Sequence, residues 1–408
     1  MDGHRRNLAE EILRGTGEPV RRVLESALEG RELSREDAVI LLNAQGRDLQ
    51  LLCSAADLAR AADVGDEVSY VVNRNINATN ICGVGCSFCG FSRRRHDPDA
   101  YDHGLDDIVL RAREAWERGA SEVCIQGGIH PEKDGFWYRE IVRAVKAEVP
   151  DLHIHAFSPQ EIHFAVGRSG GMSLRTYLSA LREEGLGSIP GTAAEILDDE
   201  IRRALSPGKL TTERWLEVIR TAHEVGLRSS STIMYGHIET AGHVAAHLEI
   251  LRSLQKQTGG FTEFVPLGFV HPHTRLYRQG ARPGASMPED LKLVAVARLF
   301  LRPWIRNVQV SWVKMGHKMA QTALMAGAND LGGTLMEESI SRAAGSQHGD
   351  HLEVHEIERL IRELGRTPYE RTTTYGRRVR RPGKARESDE ILPDESPLAG
   401  VCEQGTRY

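Results

Sequence analysis

No stretch of this 408-residue chain approaches the roughly 20 consecutive apolar residues that a membrane-spanning helix requires, so a helical membrane protein is excluded. The opening MDGHRRNLAEEILRG has no apolar core of the kind a secretory signal peptide carries. A large charge of one sign is missing too. The 52 Lys and Arg stand against 57 Asp and Glu, a net charge of −5, which excludes a strongly basic nucleic-acid-binding or membrane-surface protein. The six cysteines build no disulfide framework: Cys53, Cys124 and Cys402 are scattered, and a reducing, cytoplasmic setting is the expectation. In that setting Asn77-Ala78-Thr79 is a chance match to a glycosylation acceptor. Neither G-x4-G-K-[ST] nor HExxH occurs. Glycine, by contrast, is plentiful. The 40 glycines exceed the usual share of about 7%, and many fall where strands would end.

Residues 1–66 read as helical. VRRVLESALEG has helical apolar spacing, and Ser34-Arg35-Glu36-Asp37 looks like a helix start, with Ser34 as N-cap and acids in the first turn. No chemistry-bearing cluster falls here, so this segment is expected to be a packing extension of the next domain. From about residue 67, short apolar runs such as SYVVNRNIN, EVCIQGG, LHIHAFS and FTEFVPL alternate with amphipathic patterns such as GLDDIVLRAREAWERG and TTERWLEVIRTAHEVG. Strands separated by helices imply βα units and a parallel sheet. Eight strand candidates fit an α/β fold of the closed (β/α)8 TIM-barrel type over residues 67–365, with a doubly wound open sheet as the rival. Beyond Arg366, basic GRRVRRPGKAR is followed by acidic ESDEILPDES. Residues 366–408 are expected to be a largely disordered tail.

Three of the six cysteines fall within eight residues, in ICGVGCSFCGF, spaced C-x3-C-x2-C. A structural zinc site takes four ligands and a disulfide two. The next cysteine, Cys124, lies inside the apolar run EVCIQ and reads as core packing; His96 is the nearby alternative ligand. A dinucleotide-binding turn fails because its third glycine would fall at Phe88. A 4Fe–4S cubane normally takes four thiolates, so three leave one iron with an open position, which is a feature of catalytic metal sites. The amine and carboxylate of S-adenosylmethionine can chelate such an iron. The spacing C-x3-C-x-aromatic-C resembles that of the radical S-adenosylmethionine (SAM) superfamily. The resemblance implies Cys82, Cys86 and Cys89 as cluster ligands, Phe88 beside the adenine, and a 5′-deoxyadenosyl radical as the reactive product.

The cysteine loop follows the first strand candidate, and barrel active sites are built at the C-terminal ends of strands. Other candidates fall at matching places. Gly127 and Gly128 close strand two, Ser158 and Glu161 follow strand three, Glu195 follows strand four, Glu239 follows strand five, and Glu263 lies within strand six. Glu161 and Glu195 also suit first-turn acids favouring a helix dipole, and Gly127-Gly128 an ordinary turn. His153 and His155 share a strand face, either as a supporting pair or as lumen wall.

The longer motifs NRNIN, EVCIQGGIHP, HIHAFSP, IPGTAAEILDDE, TIMYGHIET, QVSWVKMG, GANDLGGTLMEESISR and RTTTY extend the likeness over about residues 18–375. Along that length the chain resembles the family of tyrosine-using subunits (CofH) of 7,8-didemethyl-8-hydroxy-5-deazariboflavin (FO) synthase. The futalosine cyclase and aminofutalosine synthase families of menaquinone synthesis share the frame. The resemblance places Gly127 and Gly128 where the superfamily meets the methionine amine, and sets Gly236 and Glu239 in its fifth-strand motif, with departures at Thr232 and Met234.

What the FO synthase likeness implies is a radical transferase. A hydrogen is abstracted from L-tyrosine, its Cα–Cβ bond breaks to release a glycine imine, and the 4-hydroxybenzyl fragment adds to C5 of 5-amino-6-(D-ribitylamino)uracil. A low-potential donor such as ferredoxin or flavodoxin supplies electrons, and a separate FO synthase subunit closes the ring; neither nucleic acid nor membrane is involved. Ala78, Gly83, Gly268 and His271-Pro272-His273 depart from the family pattern and are expected to face substrate, which bears on the acceptor rather than on radical initiation. Glu263, His271 and His273 are the candidate acid–base groups, with Asn329, Asp330, Glu337 and Glu338 also near strand ends. The alternatives are a related radical enzyme with another substrate, such as a futalosine-type cyclase, and an iron–sulfur electron carrier. The carrier would call for a fourth cysteine ligand.

Overall fold

The computed structural model of the chain describes residues 3–379 and 390–392. It opens with four helices, Gly3–Gly15, Val20–Leu28, Arg35–Leu42 and Gly46–Val64. The third begins as its sequence indicates. Ser34 Oγ accepts from Asp37 N at 3.1 Å while the Asp37 carboxylate accepts from Ser34 N at 3.0 Å, which satisfies two amides that a helix start leaves open. Leu24, Ala38, Leu41, Leu52 and Ala55 are fully buried among these helices. The fourth packs on the helix Met287–Leu301, and Arg252 donates to Leu33 O at 2.8 Å, so the extension is clamped to the outside of the main domain.

In that domain β1 (Glu67–Val71) and β2 (Asn73–Ile76) form one strand interrupted at Val72. β3 (Glu122–Ile125), β4 (His153–Ala156), β5 (Ser188–Ile189), β6 (Arg228–Tyr235) and β7 (Phe261–Gly268) follow in parallel, each beside its predecessor. β8 (Asp330–Gly333) pairs with β1. Residues 308–310 fill the space between β7 and β8: Gln309 N donates to Phe264 O and Val310 N to Asp330 O, both at 2.9 Å. The ring closes, as the sequence pattern predicts, into a TIM-type barrel, and the open-sheet alternative falls. Alternation on the strands sets the two faces. Val123, Ile125, Ile154 and Ala156 are buried, while Glu122, Cys124 and His155 line the lumen.

The C-terminal boundary differs from expectation. β9 (Thr367–Glu370) lies parallel beside β1. Arg371 then enters the barrel floor to pair with Asp330 and Glu263, and Tyr375 donates its hydroxyl proton to Glu263. Residues 367–379 are therefore folded. They resemble a tail because they hold few large apolar residues; buried ion pairs and strand pairing order them instead. β10 (Arg377–Val379) pairs antiparallel with β11 (Glu390–Leu392). The disorder expected at 380–389 and 393–408 lies outside the described residues. Among the described residues no helix is long and apolar enough to cross a membrane.

Candidate active site at the barrel rim

The loop after β2 carries the three cysteines and is gripped by its neighbours. Ser87 donates from N and Oγ to Leu205 O at 2.8 and 2.7 Å, and Leu276 N donates to Ser87 O at 2.7 Å. Gly83 N donates to Ile129 O at 2.9 Å, and Arg275 Nη2 to Gly85 O at 3.0 Å. Gly85 has φ +70°, a conformation glycine adopts without strain. Gly128 serves this loop directly, since a Cβ there would lie 2.3 Å from Ile81 O. The strand-two glycines thus let the chain pass against the cysteine loop backbone.

Cys82, Cys86, Cys89 and Phe88 line one cavity together with Gly127, Gly128, Ser158, Glu161 and Glu195. Ser158 and Glu161 form the capping box of the helix Pro159–Val166, and the spare Glu161 oxygen accepts from Gly127 N at 3.0 Å. Burial pushes the Glu161 carboxyl up to about 7 against these hydrogen bonds. Glu195 sits in a left-handed backbone conformation, φ +41°, two residues after Ala193 at φ +61°. Its carboxylate receives Lys209 Nζ at 2.6 Å and has Arg202 Nη1 at 3.5 Å. The Lys209 amine also lies 5.0 Å over the Phe88 ring. Burial opposes its charge, but Glu195 and then the neighbouring Cys86 hold its pKa above the usual lysine value. Burial pushes the Cys86 thiol up to about 11, with Lys209 pulling the other way.

Beneath this space lies a second cavity in the lumen, floored by Asn73, Glu122, His155, Glu263, Arg371 and Thr373. Gln126, Thr192, Thr232, Leu267, Lys314 and Ser341 line both, so the two lie directly against each other. His153 and His155 both reach Ser188 Oγ at 2.7 Å, and burial lowers the pKa of both, His153 to about 4, so they are neutral. Cys124 lines the lumen as well, its Sγ 3.3 Å from Gln126 Nε2, rather than packing in the core. Glu263 is at the floor, raised to about 7 by burial while Arg371 pulls it down.

Several predicted residues stand elsewhere. Gly236 and Glu239 are outside the cysteine cavity: the Glu239 carboxylate accepts from Gly236 N and His237 N and pairs with Arg282 at 2.7 Å. Gly236 is needed because a Cβ would lie 2.3 Å from Ala285 N. From the same strand it is Thr232 and Met234 that reach the cavity. His271 lines a side cavity at the mouth, and His273 is exposed with Nδ1 3.2 Å from Ala343 O. Of the departures from the family pattern, Gly268 lines the cavity, whereas Gly83, Pro272 and His273 are exposed and Ala78 is buried under the loop. Lys209, Gln126, Thr192 and Lys314 were not found from sequence. Each is an isolated polar residue in a motif of ordinary composition, and topology alone brings them together.

Among the described residues no three Cys, His, Asp or Glu side chains are already converged as a metal-binding set. The donor chemistry nonetheless suits an iron–sulfur cluster. Three thiols on one clamped loop face a shared cavity, with a buried ammonium beside Cys86 to offset thiolate charge.

Residues 76–251 match the model of the radical SAM superfamily, and residues 258–382 that of the CofH/MqnC C-terminal region. The chain is 49% identical to the 5-amino-6-(D-ribitylamino)uracil–L-tyrosine 4-hydroxyphenyl transferase of Methanothermobacter thermautotrophicus, covering 87% of this chain and 96% of that protein. It is 51% identical to the FO synthase of Streptomyces coelicolor, over 90% of this chain but 42% of that longer protein. Solved structures with the same fold include methylornithine synthase (PylB; TM-score 0.67, 22% identity, covering 85% of this chain and 97% of that one). The hydrogenase maturase HydG of Carboxydothermus hydrogenoformans is another (TM-score 0.68, 17% identity, 91% and 84% covered). A closed barrel with a clamped C-x3-C-x2-C loop at its rim, together with near-full-length identity of this order, means that the chain belongs to the radical SAM superfamily and, within it, to the family of 5-amino-6-(D-ribitylamino)uracil–L-tyrosine 4-hydroxyphenyl transferases.

Proposed function

We propose that this chain transfers the 4-hydroxybenzyl group of L-tyrosine to 5-amino-6-(D-ribitylamino)uracil, the joining step of deazaflavin (FO) cofactor synthesis. The observation that carries this reading is the pair of adjoining cavities, thiols lining the upper one and polar groups the floor of the lower, in a chain 49% identical to a transferase of that name. Cys82, Cys86 and Cys89 would hold a 4Fe–4S cluster. Phe88, Gly127, Gly128, Ser158, Glu161 and Glu195 would surround S-adenosylmethionine. When bound, the cluster and S-adenosylmethionine supply the 5′-deoxyadenosyl radical that takes hydrogen from tyrosine.

The protein's own part is placement and exclusion. The floor offers donors and acceptors suited to a ribityl chain and a uracil: Asn73, Glu122, His155 and Arg371. Arg371 and Tyr375 also plug the lower end against water, which protects a radical from stray hydrogen donors. The exposed Gly83 and Gly85 leave the outer side of the cysteine loop bare. That face suits electron entry from a low-potential ferredoxin or flavodoxin. Ring closure falls to a partner with its own cluster, since this chain carries one C-x3-C-x2-C motif. The setting is cytoplasmic.

The test is anaerobic. The cluster-loaded chain receives reductant, S-adenosylmethionine and L-tyrosine, with or without the diaminouracil, and products are followed by mass spectrometry. A hydroxybenzyl–uracil adduct that requires both substrates is the expected result. Deoxyadenosine without adduct would redirect the assignment to another acceptor; no deoxyadenosine from a loaded cluster would overturn the radical reading.

A further inference from the structure

The charged groups lining the adjoining cavities are mostly spoken for. Lys209 is paired with Glu195, and Arg371 with Asp330 and Glu263. Lys314 differs. It lies in the helix Trp312–Met315 just past the seventh barrel position, and its Nζ donates to Ser341 Oγ at 2.9 Å. Among the described residues no carboxylate pairs with it. Lys314 lines the upper cavity, the lumen cavity and the side cavity at the mouth, so it stands where all three meet.

Across Ser341 is the complementary group. Glu338 is buried, lines the lumen, and accepts from Ser341 N at 3.0 and 2.9 Å through its two oxygens. No cation pairs with it among the described residues. Its neighbour Glu337 faces away and is consumed by Arg74 and Arg111 at 2.9 and 2.8 Å. The backbone that delivers Glu338 is strained, with Leu335, Met336 and Glu337 all at positive φ, 63°, 34° and 99°. Glu337 N and Glu338 N donate to Asp350 O at 3.1 and 3.0 Å and hold this turn in place. Ser341 therefore keeps a cation and an anion apart, one on its hydroxyl and one on its amide, both open to the lumen.

Lys314 and Glu338 act on each other across Ser341 without closing into a direct pair, and a buried charge without a close partner favours a ligand that brings the opposite sign into contact. A free amino acid carries both signs on one carbon. We propose that Lys314 and Glu338 form the cradle for the zwitterionic head of the amino-acid substrate, Lys314 receiving the carboxylate and Glu338 the ammonium. This rests on the transferase reading and adds to it where the tyrosine Cα is held: at the junction between the radical source above and the acceptor below. Burial lowers the Lys314 pKa, and Glu338 across Ser341 offsets this only in part.

The test is equilibrium binding to the cluster-loaded, S-adenosylmethionine-bound protein without reductant, in saturating diaminouracil, by anaerobic calorimetry. Lys314→Met should weaken L-tyrosine by roughly thirtyfold or more and leave S-adenosylmethionine affinity unchanged. L-Tyrosinamide, which lacks the carboxylate, should bind wild type and K314M alike. Glu338→Gln, which keeps the cap on its helix, should weaken L-tyrosine too, and Lys314→Arg should recover part of the loss. Equal loss for tyrosine and its amide, unchanged tyrosine affinity in K314M, or a loss falling on S-adenosylmethionine would each overturn the cradle. Those results leave the transferase standing as long as wild type still makes the adduct. A wild type that neither binds tyrosine nor makes adduct would bring down both.

Discussion

Replacing Lys209 by methionine measures how far the upper cavity depends on one ion pair. The amine is 2.6 Å from Glu195 Oε1, and both side chains are largely buried, at 12% and 7% exposure. Methionine keeps the aliphatic stem and removes the charge. Breaking a buried pair from one side costs about 3–5 kcal/mol, because the surviving ion is left in a poor solvent. Arg202 remains 3.5 Å from the other Glu195 oxygen, which places the expected loss at the low end, about 3 kcal/mol. The second substitution, Glu195→Gln, removes the stranded charge, so K209M/E195Q should recover about 2 kcal/mol of that loss. Urea denaturation followed by far-ultraviolet circular dichroism on the four proteins of the cycle gives the coupling. If the double variant loses the sum of the two single losses, the pair is not an energetic unit and the reasoning fails.

Other expectations concern the loop, the floor and a core histidine. Gly128→Ala would set a methyl 2.3 Å from Ile81 O, so iron loading should fall severalfold while the far-ultraviolet spectrum stays that of a folded barrel; normal iron content would show that the loop can yield. A chain ending after Arg366 loses β9, Arg371 and Tyr375 and leaves Asp330 and Glu263 without the guanidinium that pairs with both. It should be insoluble or destabilised by more than about 3 kcal/mol, and a stable, soluble truncation would refute the folded floor. His247 is buried, accepting at Nδ1 from Leu197 N and reaching Thr232 O with Nε2, both at 3.0 Å, and burial lowers its pKa to about 3. Its stabilisation is complete above about pH 6.5 and is lost as pH falls towards 3. His247→Gln keeps both hydrogen bonds without titrating, so its stability relative to wild type should improve by about 1.4 kcal/mol per pH unit below that point. A gap independent of pH would contradict the neutral histidine.

The alternation of apolar runs and amphipathic helices gave the parallel βα organisation, because most strands are short apolar runs that lie beside their sequence neighbours; closure into a barrel needed the structure. The cysteine loop was legible for a different reason, since its chemistry lies in local spacing. Ser34 and Asp37 were legible as a cap because four consecutive residues contain the whole interaction. Interactions that span the chain were not. Lys209 and Glu195 come from opposite sides of a helix, and Lys314 and Glu338 from successive barrel positions; nothing local marks either pair. Arg371 belonged to a segment that looks disordered by composition, because hydrophobic patterning does not register order built on buried charge. Gly236 and Glu239 are a different case. Their motif is real, but here it fastens a turn to the loop at 284–285.

The floor also imposes an order on how the molecule is made. β1 is the first strand to leave the ribosome, yet its partners are among the last: Ser69 bonds Asp330 across 261 positions, and β9 follows later still. Contacts this distant in sequence close slowly, and the Arg371 pairs with Asp330 and Glu263 must wait until residue 371 has been synthesised. Until then Asp330 and Glu263 are without the guanidinium that pairs with them. Closure of the floor is thus the last step in building the lumen, completed by residues that follow every barrel strand in the chain.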